Sequence, residues 1–179
     1  MKKVRIAIVF LLLLLSSCGG SEGSSANGTS TNDFQTKLSS TSWVKECSVY
    51  NKFQSGELKD AWNVRIKLSI DAALNATYRT EYFHPTDTAC KSVMFDHFDI
   101  STFSIKGRII SDESIDANGL DEKFTYSSGS REIPPNYTLI YVDSEKLYFG
   151  QQTAKNSGKT PETRHSSISL NDYFRKVIN

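Results

Sequence analysis

Three histidines, three cysteines and a scatter of serines and carboxylates are the residues of this 179-residue chain with chemistry to offer. His97 lies in Asp96-His97-Phe98-Asp99, and on an extended strand His97 and Asp99 share one face. His84, from the preceding strand, could join them around a metal ion, since adjacent antiparallel strands set such residues opposite each other. The spacing matches no zinc signature, and a solvent-facing polar stripe explains the same pattern. Serines are numerous, but no Gly-x-Ser-x-Gly elbow occurs. The acidic residues gather in turns instead of facing each other as a pair for sugar hydrolysis. No catalytic residue, metal site or cofactor is nominated, and a non-enzymatic protein is expected.

The cysteines say more. Lys2, Lys3 and Arg5 precede an unbroken apolar run from Ile6 to Leu15, followed by Ser16-Ser17-Cys18. A basic start and a short apolar core form the pattern of a secretion signal over residues 1–18. The run is shorter than the roughly 20 apolar residues a permanent spanning helix needs. Leu15 to Cys18 resembles a bacterial lipobox, which implies that Cys18 is lipidated and anchors the chain to a membrane of the bacterial cell envelope. Gly19 stands where an Asp would resemble an inner-membrane retention signal, so the resemblance points to the outer membrane. With Cys18 given to lipid, Cys47 and Cys90 remain, an even pair in an oxidising compartment. They are expected to be bridged, worth roughly 3–4 kcal/mol through loop-closure entropy.

Loss of residues 1–18 removes three of the 21 Lys and Arg and none of the 20 Asp and Glu, leaving a net charge near −2. That balance excludes a basic footprint for nucleic acid. Residues 19–32, rich in Gly, Ser, Thr and Asn, read as a flexible tether with a reach on the order of 20 Å. Residues 33–179 then form one domain of ordinary size. Phe34 and Leu38, four apart, predict a short helical turn.

Beyond it the period is two. Trp62, Val64, Ile66, Leu68 and Ile70 alternate with polar residues, which predicts a half-buried strand. Thr77–Phe83 is the returning strand, and 92–98 and 103–109 read as two further strands, with Gly107 at a bulge or kink. Residues 111–121 read as an acidic turn region and 123–127 as a short strand. Residues 137–142 and 146–150 pair as a hairpin across 143–145. Residues 153–161 read as polar and mobile, and 168–178 as a closing strand or helix. The sum is an all-β domain of eight or nine strands, an up-and-down antiparallel barrel or strongly curved sheet.

Thr41-Ser42-Trp43 at the head of the first strand resembles the lipocalin signature, with Thr41 where that signature has Gly. The placement of Cys90 after the third strand, Lys146-Leu147-Tyr148-Phe149-Gly150, Arg164 and Leu170-Asn171 is similar to that of bacterial lipocalin-like lipoproteins of uncharacterised function. The resemblance implies that a late basic residue, Arg175, packs across Trp43. It also implies a barrel that binds a small apolar or amphipathic ligand. The alternative is a filled barrel whose loops 84–92, 111–121 and 151–167 engage an envelope protein partner. Expected partners are thus a membrane through Cys18 and a small hydrophobic ligand or an envelope protein.

Overall fold

The computed structural model describes residues 31–178 apart from 51–52, 55–56, 59–61 and 130–131. The residues read as a secretion signal, Cys18, and the residues up to 30 read as a tether lie outside the described residues. The tether's expected end is two residues too late, because α1 (Thr31–Leu38) already includes Thr31 and Asn32. Asp33 in its first turn and Lys37 in its last suit the helix dipole. Phe34 and Leu38 share one face and are buried, and Ser40, at φ 56°, turns the chain out of the helix.

The strands follow as β1 (Thr41–Tyr50), β2 (Phe53–Gln54), β3 (Glu57–Leu58), β4 (Trp62–Ile70), β5 (Asn75–Phe83), β6 (Val93–Ile110), β7 (Asp116–Ser127), β8 (Asn136–Asp143), β9 (Lys146–Phe149) and β10 (Phe174–Lys176). Eight of them close an antiparallel barrel in the order β1-β10-β9-β8-β7-β6-β5-β4, and β2–β3 is a separate two-stranded excursion. The fold is therefore all-β and up-and-down, as the period-two pattern requires.

Two boundaries differ from the sequence reading. Residues 92–98 and 103–109 belong to one 18-residue strand, β6, which runs straight through Asp99–Thr102. The acidic stretch 111–121 turns only at 111–115, and from Asp116 it is strand. Its charges are tolerated because Arg108 pairs with Asp116, and Lys106 and Arg164 pair with Asp121. The expected irregularity near Gly107 is present as a register shift between Ile105 and Arg108.

The core sits at one end. Phe34 and Leu38 of α1 close that end over Trp43, Leu68, Ile70, Phe103, Ile105, Leu120, Ile140 and Leu147, with Leu38, Leu68, Leu120, Ile140 and Leu147 fully buried. Each such side chain contributes about 1.5–3 kcal/mol of transfer free energy. Trp43 Nε1 donates to Thr41 Oγ1 at 2.8 Å, so the indole is buried with its one polar atom satisfied.

Residues 150–173 are a strap against the outer wall, not the mobile stretch expected of 153–161. Ile168 packs with Ala117, Leu139 and Tyr148 in a second apolar cluster. Arg164 donates to the carbonyls of Leu120 at 2.6 Å and Thr138 at 3.1 Å, and also to Asp121. His165 Nδ1 lies 3.0 Å from Thr138 Oγ1. Gly158, buried at φ 71°, leaves the room that this imidazole occupies, since a Cβ there would collide with His165 Nε2.

Candidate functional site

The registers show that the barrel is closed over only part of its height. β8 pairs with β7 only along Asn118–Glu122, and β10 pairs with β1 only at Trp43 and Val44. Above those levels the upper parts of β1, β4, β5, β6 and β7 continue as a five-stranded half-pipe at the end opposite α1. Alternation from Leu68 and Ile70 sends Trp62 and Val64 to its concave face. Their partners follow in register, giving Tyr82 and Thr80 on β5, Phe95, His97 and Asp99 on β6, and Phe124 and Ser127 on β7.

This face is layered by polarity. At the lip, Tyr82 and Phe95 stack with centroids 4.6 Å apart, and Trp62 meets Phe95 edge-on at 5.2 Å. Phe95 is 48% exposed, which is unusual for an inward-facing aromatic. Deepest lies Glu122, 3% exposed, which accepts from Ser101 Oγ at 2.8 Å and Asn136 Nδ2 at 3.2 Å and is also bonded by Tyr78. Burial pushes the Glu122 carboxyl above its ordinary range, and burial next to Glu122 pushes the Tyr78 phenol well up. Beneath this layer lies the apolar cluster that α1 covers.

Between lip and floor sits His97. Its Nε2 is 2.9 Å from Asp99 Oδ1 and 3.2 Å from Ser127 Oγ, and its Nδ1 is 3.0 Å from Ser128 Oγ. Gly129 makes this possible, because a Cβ there would stand 2.8 Å from the His97 ring. Ser128 is fixed twice to Phe98: its backbone N–H donates to Phe98 O, and its Oγ accepts from Phe98 N, both at 2.8 Å. A cleft of about 250 Å³ adjoins this cluster, lined by Phe124, Tyr126, Ser127, Glu132, Ile133 and Pro135 among others.

The sequence brought His97 and Asp99 to one face, and the structure keeps them there. His84 is elsewhere, its Nδ1 2.8 Å from Thr86 Oγ1 in the loop after β5. Among the described residues no group of three or more His, Cys, Asp or Glu is placed to hold a metal. Ser127 and Ser128 were missed, since only the β6–β7 register brings them to His97. The signal available beforehand was His-x-Asp on a strand, with Ser-Ser-Gly at a later turn.

Cys47 and Cys90 form the disulfide, with Cα atoms 5.8 Å apart. It ties β1 to the loop 84–92, which Asn63 Nδ2 also holds by donating to the carbonyls of His84 at 3.2 Å and Pro85 at 3.0 Å. The Trp43 partner is one residue away from the expected one. Trp43 registers with Lys176 and Val44 with Arg175, so these neighbours face opposite sides. Lys176 Nζ lies 5.9 Å from the Trp43 ring centroid, while Arg175 points outward to Glu46.

Fold and site define a small up-and-down β-barrel, capped and solid at one end and open, aromatic and polar at the other. The chain matches no protein-family model, no curated protein and no solved structure in these comparisons.

Proposed function

We propose that this is a lipocalin-like lipoprotein, anchored through Cys18 to the outer membrane of a bacterial cell envelope, that binds a small amphipathic ligand at the open end of its barrel. The observation that carries the reading is the Trp62–Phe95–Tyr82 cluster, with Phe95 exposed, over a polar floor at Glu122, Ser101 and Asn136. An apolar body fits the lip and a hydrogen-bonding head fits the floor. The solid core under α1 limits the ligand to the half-pipe and argues against a long buried chain. The tether joins α1 at the capped end, so an anchored barrel has its open end free to face away from the membrane. The Cys47–Cys90 disulfide agrees with export to an oxidising compartment.

A second reading, an interaction module for an envelope protein, draws on the apolar residues exposed at the same end: Val49, Val93, Met94 and Phe95. Native mass spectrometry of residues 31–179, purified gently from the host, separates the two. A stoichiometric small-molecule adduct that is lost on denaturation, and weakened by Phe95→Ser, is the expected result. A clean unliganded mass would overturn the ligand reading and favour the protein partner.

A further inference from the structure

We propose that Ser128 is an activated nucleophile, with His97 as its general base and Asp99 orienting the imidazole, and that it takes the acyl group from small esters that reach its solvent-exposed hydroxyl. His97 and Asp99 stand on the concave wall of the half-pipe, so the inference goes beyond the ligand-binding reading at the same end of the barrel.

The three side chains form a connected relay. With the Nε2 proton donated to Asp99 at 2.9 Å, Nδ1 carries the lone pair, and the Ser128 hydroxyl stands 3.0 Å from it. That distance is within the reach a nucleophile and its base require, and the base is itself held by a third group. The ring is used with its two nitrogens exchanged relative to the familiar serine hydrolase triad, which leaves the proton path unchanged. The Phe98 N–H on Ser128 Oγ occupies one lone pair. It also stabilises negative charge there, and a second lone pair remains for attack. Ser127, by contrast, reaches only the nitrogen that Asp99 already uses, so it is not the nucleophile. Ser128 is solvent-exposed and His97 is half-buried, so a substrate can reach the hydroxyl.

The step balances without any further reagent but water. Ser128 Oγ bonds to the ester carbonyl carbon and its proton passes to His97 Nδ1. The ester C–O bond breaks, and the departing alcohol takes that proton. Water then attacks the acyl-serine, giving one proton to His97, and the acid leaves as the proton returns to Ser128 Oγ. The net reaction is ester plus water to acid plus alcohol.

The test treats the full chain with a fluorophosphonate and with p-nitrophenyl acetate, followed by intact-mass and peptide mapping. One adduct at Ser128 is expected, forming at least about 100-fold more slowly in His97→Ala and not at all in Ser128→Ala. His97 also ties β6 to β7, so each variant's thermal melt is compared with the parent's. A readout that needs no variant is site selectivity in the parent chain: Ser128 should be labelled well ahead of Ser127 and of the exposed serines elsewhere. No adduct at Ser128, an equal rate in a folded His97→Ala chain, or labelling spread evenly over the exposed serines would each overturn the proposal.

Discussion

Single side chains decide where this small barrel is rigid and where it is chemically disposed to act. Glu113 is one that the sequence offers no reason to single out. Its carboxylate accepts from Ser167 Oγ, from the Ile168 N–H at 2.8 Å and from Ser111 Oγ at 3.0 Å, which fastens the strap to the loop before β7. The Ser167 hydroxyl first, then the Ile168 amide, hold its pKa down at about 2. A lowered carboxylate pKa contributes stability that is complete above the unfolded value and lost as pH falls through the folded one. The strap should therefore loosen between about pH 4.5 and about pH 2. Amide hydrogen exchange at residues 166–168, corrected for intrinsic rate, should lose protection across that window. Glu113→Gln should show the same low protection at neutral pH, and unchanged protection in the variant would refute the clamp. The Trp43 pair teaches a related lesson: one step along β10 exchanges an inward cation for an outward one, so Lys176, not Arg175, reaches the indole.

Among elements, α1 and the loop 84–92 do for the two ends what barrel closure does for the middle. α1 is only eight residues long and is marginal alone. Phe34 and Leu38, set against the barrel core, hold it. The loop has no comparable apolar face and depends on the 43-residue closure from Cys47 to Cys90. Replacing both cysteines with Ser should cost about 4 kcal/mol by the chain-entropy relation. Urea melts with and without reductant should show the same shift in the parent chain and none in the double variant. A loss below 1 kcal/mol would mean that the Asn63 bonds already fix the loop. Strand length was the least legible quantity at this scale. β6 reads as two strands because Asp99, Ser101 and Thr102 interrupt the apolar alternation, yet Asp99 and Ser101 are residues that give the half-pipe its polar wall.

At the scale of the whole molecule, the proposed anchor can be tested apart from the barrel. If Cys18 carries lipid, Cys18→Ala should move the protein from the membrane fraction to the soluble fraction with its thermal melt unchanged; retention in the membrane would refute the lipoprotein assignment. What the sequence by itself determined was the strand period, the all-β class, the cysteine pair and the shared face of His97 and Asp99. These depend on residues near in sequence or on simple counting, and local sterics and burial periodicity suffice to read them. Only the tertiary structure decided that the barrel closes over part of its height, that Glu122 meets Tyr78, Ser101 and Asn136, and that Ser128 reaches His97. Those contacts join residues 14 to 44 positions apart, and they follow from strand register. Register is set cooperatively by bulges, core packing and closure of the whole sheet, which no local pattern records.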